Sequence, residues 1–311
     1  MHVDHIIHKN ILATITYYDV LDRPLTAFEV WKDLIRCSAD HTDDMWTLAD
    51  VFEALRTKEV RQYVGEKNGF YFLHGRETLV DVRRTRAIIS LQKKKRVEKI
   101  VRILCMSPFV RMICVTGRLS YNHCEKESDL DLLIAYKHGH IWTGRFFITI
   151  LAHACGFRRH DAQVNDRACL NYHITTQSLV VPTKDLFAAH EYSYIFPVFD
   201  LGFFADFCMQ NQWIRSYKPH FMQEKYYDTA VKDTIVTKSI RRLLELIFGD
   251  RGMEMRLKKI QEQKIKNNPK TQYKGGIILF SDQFLVFLPK PHGPRIFEEY
   301  KKRFIALEID F

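Results

Sequence analysis

Two aspartates stand at alternate positions at the start of an apolar segment near the middle of this 311-residue chain. Asp129 and Asp131 lead into Leu-Leu-Ile, and an earlier apolar run, 110–116, ends in a glycine turn at Gly117. We interpret both runs as strands. Because side chains alternate faces along a strand, the two carboxylates project together while Leu130 and Leu132 pack behind them. The sequence therefore predicts a sheet that carries two acids on one face.

Two carboxylates on one face can hold a hard divalent cation. Magnesium prefers oxygen ligands, is usually held by one or two carboxylates, and completes its coordination with water and substrate phosphates. This pattern favours phosphoryl or nucleotidyl transfer, with Asp129 and Asp131 as metal ligands and catalytic residues. A solvent-facing strand edge that carries two acids is the alternative interpretation.

The same residues resemble the signature of the DNA polymerase β-type nucleotidyltransferase superfamily. That signature is Gly-Ser, a short spacer, and Asp-hydrophobic-Asp in a strand. Gly117, Asp129 and Asp131 match it, and Arg118 stands in place of the serine. Further along, the chain is similar to an uncharacterised bacterial nucleotidyltransferase-domain family over roughly two thirds of its length, through residues 137–146, 169–172, 211–213 and 219.

The resemblance implies Mg²⁺ and a nucleoside triphosphate, with ATP as the first choice. The backbone of the Gly117 turn would then hold the triphosphate. Arg118 would contact phosphate, and Ser120 would supply a hydroxyl. Arg145, three residues after Trp142 on a predicted helix, would bind phosphate while Trp142 stacks on the base, unless both are packing and surface residues.

The resemblance also implies a third carboxylate on a later strand. The predicted strand 168–175 contains neither Asp nor Glu. Asn171 and His173 lie within it, and Asp161 and Asp166 lie in the loop before it. None of the four occupies the expected place.

The fold class expected is α+β: a nucleotidyltransferase-type mixed sheet with an N-terminal winged helix and a C-terminal helical lobe. The predicted divisions are a winged-helix domain (1–76), a linking basic helix (77–108), a nucleotidyltransferase domain (109–184) and a helical lobe with a small β-hairpin (185–311).

Periodicity places the elements within these divisions. The winged helix would contain helices 8–20, 26–36 and 47–59 and a hairpin around an Asn-Gly turn at Asn68. Thr26 and Glu29 form a capping box for the second helix. The nucleotidyltransferase domain would contain strands 110–116, 129–135 and 168–175 and helix 141–154. The lobe would contain helices 185–192, 201–217, 229–248, 253–266 and 295–307 and a hairpin at 275–288.

The net charge of +10 is concentrated in two segments. Residues 76–103 hold ten Lys or Arg against three acids, and residues 231–270 hold eleven against five. Such clustering favours a nucleic-acid partner, and solvated helix surfaces are the alternative. The predicted recognition helix 47–59 carries three acids against two bases, which disfavours reading of the DNA major groove.

The sequence predicts a cytoplasmic protein with no membrane partner. It has no run of eighteen apolar residues and no leader-like start. Its seven cysteines never form a Cys-x-x-Cys pair, so we expect reduced thiols.

These observations predict a Mg²⁺-dependent nucleotidyltransferase that moves a nucleoside monophosphate to an unidentified acceptor. The alternative is a catalytically inactive protein of the same fold that binds nucleic acid or senses nucleotides.

Overall fold

The computed structural model describes residues 2–37, 46–159, 163–222 and 229–307. The helices in these ranges are α1 (His2–Val20), α2 (Ala27–Lys32), α3 (Leu48–Ala54), α4 (Lys58–Arg61), α5 (Leu79–Leu104), α6 (Gly117–Ser120), α7 (Ile141–Ala154), α8 (Leu186–Ser193), α9 (Phe204–Gln210), α10 (Ile235–Phe248), α11 (Arg251–Lys266) and α12 (His292–Ile305). The strands are β1 (Leu25–Thr26), β2 (Val64–Lys67), β3 (Phe70–Leu73), β4 (Val110–Val115), β5 (Leu130–Tyr136), β6 (Ala168–Thr175), β7 (Phe196–Asp200), β8 (Ile277–Phe280) and β9 (Phe284–Leu288).

The N-terminal unit combines α1 to α4 with a three-stranded antiparallel sheet of order β1-β3-β2. The predicted capping box is present, since the Thr26 side chain and Glu29 exchange hydrogen bonds with each other's backbone. The hairpin turns at Asn68 and Gly69, both with positive φ, as an Asn-Gly turn requires. The predicted helix 47–59 is divided into α3 and α4, because the backbone of Thr57, the residue before α4, is extended. The Thr57 hydroxyl donates to the carbonyl of Ala54, the last residue of α3.

A mixed six-stranded sheet of order β7-β4-β5-β6-β9-β8 forms the centre of the molecule, so the fold is mixed α/β. Strands β5 and β6 run parallel, and the other neighbours run antiparallel. Three of the six strands, β7, β8 and β9, come from the region 185–311 that the sequence predicted as a helical lobe. The predicted hairpin is not a separate appendage, because β9 pairs with β6.

Strand β7 was not predicted from the sequence. It lies between the predicted helices 185–192 and 201–217, in a run of aromatic residues, 192–207, whose near-helical spacing favours burial in the core. Pro197 lacks a backbone donor and is tolerated because β7 is an edge strand. The predicted helix 201–217 is shortened to α9 and a 3₁₀ turn, Gln212–Ser216.

Helices cover both faces of the central sheet. Ile113, Val115 and Leu132 pack on the face covered by α5, α7 and α11, and Trp142 of α7 is buried there with its indole N–H donating to Asp282. Trp142 is thus a packing residue. Residues on the other face, such as Leu133, pack against α8 and α9. Alternation along β5 therefore decides which helix each residue meets.

The predicted basic segment 76–103 is largely α5, and part of its charge is neutralised within the protein. Arg83 pairs with Glu29, Arg86 with Glu125 and Lys93 with Asp166. Exposed positive charge remains on α5 at Arg84, Lys95, Lys99 and Arg102. No helix in the described ranges has both the length and the apolarity to cross a lipid bilayer.

A buried ion pair joins the N-terminal unit to the remainder of the protein. Lys218 donates to Asp33 at 2.8 Å, and the two side chains are 1% and 2% exposed. The same ammonium group also donates to the hydroxyls of Tyr18 and Ser193, both at 3.0 Å. All three protons of Lys218 are therefore used, which is what makes burial of this charge tolerable.

We expect Lys218→Met to lower the free energy of unfolding by about 3 to 5 kcal/mol, because it leaves the Asp33 carboxylate buried without its cation. Urea denaturation measures this change. Arg61→Met is the control, because its partner Glu66 is exposed, and it should cost less than about 1 kcal/mol. The double variant Lys218→Met/Asp33→Leu should recover part of the loss, and equal losses in Lys218→Met and Arg61→Met would contradict this account.

Candidate active site

The predicted aspartate pair lies at the beginning of β5. Asp129 immediately precedes the strand, and Asp131 is its second residue. Both side chains are half-buried, whereas Leu130 and Leu132 behind them are buried in the core. One oxygen from each aspartate and the sulfur of Cys169 all lie within 4.8 Å of one another. The carboxylates therefore converge, as the alternation of the strand predicted.

Strand β6 places Cys169 directly beside Asp131 in the parallel register. Burial, followed by the charges of Asp131 and Asp129, raises the pKa of the Cys169 thiol well above its usual value. The thiol is consequently protonated at neutral pH. A neutral thiol is a poor ligand for a hard cation, so Cys169 does not replace a third carboxylate.

The Gly117 turn lies against the aspartate pair. Gly117 has φ +64°, and a Cβ atom added to it would lie 2.5 Å from Oδ2 of Asp131. The preceding amide, of Thr116, donates to the backbone carbonyl of Asp131 at 3.1 Å. This turn therefore needs glycine both for its left-handed backbone and for close approach to the carboxylate.

Glu191 of α8 brings a third carboxylate into the cleft beside the aspartates. It lines the same cavities as Asp129 and Asp131, and the Gly117 backbone forms a hydrogen bond with it. Glu191 was not predicted from the sequence as a site residue, because it lies sixty residues after Asp131 on a helix and not on the next strand. The available signal was an acid in a helical segment whose neighbours 188–190 and 192 are all buried.

Burial and neighbouring negative charge raise the pKa values of Asp131 and Glu191. Burial, followed by the charge of Asp129, raises the pKa of Asp131 to about 7. Burial, followed by the charge of Asp131, raises the pKa of Glu191 to about 8. Within the described part of the chain no Lys or Arg forms an ion pair with either carboxylate. The converging oxygens of Asp129 and Asp131, the second of which lacks a cationic partner, fit a site for a divalent cation.

Arg159 is the one cation that contacts the aspartates directly among the described residues. Its Nη1 lies 2.6 Å from Oδ2 of Asp129 and 3.8 Å from the sulfur of Cys169. The guanidinium is nearly half exposed at 47%, whereas Asp129 is 17% exposed. The Arg159 side of this ion pair therefore faces solvent, while Asp129 faces the cleft.

The three carboxylates lie in one cleft with two ends. The larger end has a volume of about 550 Å³ and is walled by Tyr192, Tyr273 and the proline-rich segment 289–294. The smaller end, about 270 Å³, is lined by Gly117, Arg118 and Arg295 and others. Both ends share Asp129, Asp131, Phe187, Glu191 and His292. The volume is sufficient for a nucleotide-sized ligand.

The other residues that the sequence predicts to bind the nucleotide do not all line the carboxylate cleft. Arg118 lies at the smaller end, where it pairs with Glu125. Ser120 is buried, and its hydroxyl donates to the carbonyl of Gly117 at 2.7 Å, which stabilises the turn. Arg145 lies in a separate cavity beyond Arg159.

The four residues in and before strand 168–175 that were compared with the expected third carboxylate lie in different parts of the protein. Asn171 lines the larger end of the cleft. His173 is buried in the core, where it forms a hydrogen bond with the Tyr136 hydroxyl at 3.0 Å. Asp166 pairs with Lys93, and Asp161 lies outside the described residues.

The chain was compared with protein-family models, with curated proteins and with solved structures, and none of the three comparisons found a match.

We expect Asp131→Asn to stabilise the metal-free protein at pH 8 by about 1 to 2 kcal/mol. Because the pKa of Asp131 is raised in the folded state to about 7, the folded protein holds this proton more tightly than the unfolded chain does. Stability is therefore lost as pH rises from the unfolded pKa towards 7, and asparagine avoids that loss. Urea denaturation at pH 5 and pH 8 measures the difference, which should be smaller at pH 5.

Asp166→Asn is the matched control for this pH series. Its carboxylate neutralises the buried Lys93, so its loss should destabilise the protein at both pH values. An Asp131→Asn variant that is less stable than the native protein at pH 8 would contradict the raised pKa of Asp131.

We expect Gly117→Ala to destabilise the protein by more than the roughly 1 kcal/mol that a left-handed backbone alone costs a non-glycine residue. The added methyl group would meet Asp131 Oδ2 at 2.5 Å. Gly139→Ala is the control, because Gly139 has φ +79° and no atom within 4 Å of an added Cβ. Thermal unfolding of both variants measures the difference, and equal effects would show that close approach at Gly117 is unimportant.

Proposed function

We propose that this protein is a Mg²⁺-dependent nucleotidyltransferase that moves a nucleoside monophosphate from a nucleoside triphosphate, ATP in the first instance, to an acceptor hydroxyl. The observation that carries the proposal is the convergence of Asp129 and Asp131 beside the glycine turn of Gly117, with Glu191 lining the same cleft. The resemblance of the Gly117, Asp129 and Asp131 pattern to polymerase β-type nucleotidyltransferases supports the same function.

Asp129 and Asp131 would hold the metal, because they offer converging oxygen atoms. A bound Mg²⁺ would neutralise phosphate charge and lower the pKa of the attacking hydroxyl. Glu191 stands beside Asp131 with a pKa raised to about 8. A cation bound at the aspartates would lower that pKa, and the ionised carboxylate could then accept the proton of the acceptor hydroxyl. Its position on α8 leaves the β6 side of the aspartates open to substrate.

The two ends of the cleft suggest where the nucleotide lies. The smaller end carries Arg118 and Arg295, whose positive charge favours the β- and γ-phosphates. The larger end offers the aromatic side chains of Phe187 and Tyr273 for contact with a base. The nucleotide would therefore extend across the three carboxylates with its α-phosphate above them.

The N-terminal unit is proposed to be a winged helix, on the basis of its three principal helices and small sheet. Its α3 exposes the apolar side chains Leu48 and Phe52, which are 41% and 37% exposed. Apolar exposure and the acidic balance of this helix favour a protein contact over DNA.

A nucleotide-sensing protein without transferase activity is the second candidate. It is favoured by the ion pair between Arg159 and Asp129 and by the thiol of Cys169, which occupies the strand position beside Asp131. In that case Arg159 would take the place of one metal ion and the cleft would bind nucleotide without turnover.

Incubation with α-³²P-labelled nucleoside triphosphates, Mg²⁺ and separate acceptors (mononucleotides, RNA, protein) tests the proposal. We expect label transfer by the native protein and a loss on the order of 10³-fold in Asp129→Asn and Asp131→Asn, because the phosphate charge is no longer balanced. Glu191→Gln should lose about 10²-fold. The control Glu66→Gln changes an acid on the distant β2–β3 hairpin and should be fully active.

Nucleotide binding without label transfer to any acceptor would favour the sensing protein. Transfer that survives in both aspartate variants would place the chemistry elsewhere and overturn the assignment.

A further inference from the structure

A second cavity opens beyond the aspartate pair, between β6 and α11. It has a volume of about 540 Å³ and is separate from the carboxylate cleft. Its lining includes five basic side chains, namely Arg145, Arg158, Arg159, Lys264 and Lys270. The described residues that line it include no aspartate and no glutamate. We call this space the cationic cavity.

Arg145 is the most unusual group in the cationic cavity. Its Nη1 donates to Gln261 at 2.6 Å, and its guanidinium lies 4.6 Å from the ring centre of Phe287. Its Nε is buried and has no hydrogen-bond partner among the described residues. Burial lowers the pKa of Arg145 to about 10. A buried guanidinium without a carboxylate is costly, and an anionic ligand would offset that cost.

The cationic cavity adjoins the carboxylate cleft. Both are lined by Arg159, Cys169, Asn171, Lys270, Phe287 and Pro289. By contrast, Gly117 and Arg118 line the smaller end of the cleft and not the cationic cavity. A ligand in the cationic cavity would therefore reach the aspartates from the side of Arg159, away from the Gly117 turn.

Transfer of a nucleoside monophosphate requires the attacking and leaving oxygens to lie roughly in line on opposite sides of the α-phosphorus. If the leaving pyrophosphate lies near Arg118, the attacking hydroxyl comes from the opposite side, where Arg159 and the cationic cavity lie. The cavity volume suits a nucleotide-sized compound. Its charge suits one that carries phosphate.

We propose that the acceptor carries a phosphate group, which binds in the cationic cavity against Arg145 and Arg158 while a hydroxyl of the same molecule reaches the aspartates. This proposal rests on the proposed nucleotidyl transfer. The hydroxyl oxygen forms a bond to the α-phosphorus, the bond from that phosphorus to the β-phosphate bridging oxygen breaks, pyrophosphate leaves, and the hydroxyl proton passes to Glu191. A free mononucleotide and the end of an RNA strand share this chemistry.

The binding test needs no turnover. Isothermal titration calorimetry without Mg²⁺ and without nucleoside triphosphate would use three probes: inorganic phosphate, adenosine 5′-monophosphate and a five-nucleotide oligoadenylate. The full-length Asp129→Asn/Asp131→Asn protein serves as host, which removes metal binding at the aspartates. We expect each of Arg145→Gln and Arg158→Gln to weaken probe binding at least about tenfold, because each removes a charge-assisted contact.

Two further variants separate binding from folding. Arg84→Gln removes an exposed arginine on α5, far from the lining of the cavity, and should leave binding unchanged. Arg145→Lys keeps the positive charge and should retain more binding than Arg145→Gln. Arg158 is only partly buried, so its variant is expected to fold even if Arg145→Gln does not.

The outcomes distinguish this proposal from the proposed function. Equal affinity for the mononucleotide and the oligonucleotide indicates a small acceptor, and much tighter, salt-sensitive binding of the oligonucleotide indicates an RNA end. Probe binding that is absent, or unchanged in both arginine variants, overturns the acceptor site even if label transfer occurs. Probe binding that depends on Arg145 and Arg158 supports an anion site, and failure of label transfer would then reject only the transfer reaction.

Discussion

Three carboxylates that line one cleft at the start of β5 are the constraint on which the functional interpretation depends. Asp129 has Arg159 as a partner, but Asp131 and Glu191 have no ion pair in the described part of the chain. Their raised pKa values express the cost of this arrangement. A fold under selection for stability alone has no reason to keep uncompensated acids in a cleft, so a cation ligand is the physical explanation that the geometry favours.

This arrangement results from the alternation of side chains between the two faces of β5. Asp131 lies on the same face of β5 as Leu133, and that face is covered by α8, which carries Glu191. Gly117 then allows the turn after β4 to approach without a side chain in the way. Positive charge is kept on the other side of Asp131, beyond Arg159, in the cationic cavity. The carboxylate cleft and the cationic cavity therefore lie side by side, and Cys169 of β6 is among the residues that line both.

The parts of the site that sequence could predict are those set by local periodicity. The pairing of Asp129 with Asp131, the close approach of Gly117 and the helix 141–154 all follow from spacing within one or two neighbouring elements. Glu191 could not be found in this way, because its contribution depends on how α8 packs against a strand sixty residues earlier. Strand β7 could not be predicted for a similar reason. Its aromatic residues fit a buried helix as well as an edge strand, and only its pairing with β4 distinguishes the two.

The most direct test of the central claim is the number of protons released when Mg²⁺ binds. Isothermal titration calorimetry at pH 7 in two buffers of different ionisation enthalpy measures this number. Since Asp131 and Glu191 hold protons near neutral pH, the account predicts Mg²⁺ binding with net proton release at pH 7 and little release at pH 9. Absence of binding at millimolar Mg²⁺, or binding at pH 7 without proton release, would contradict it.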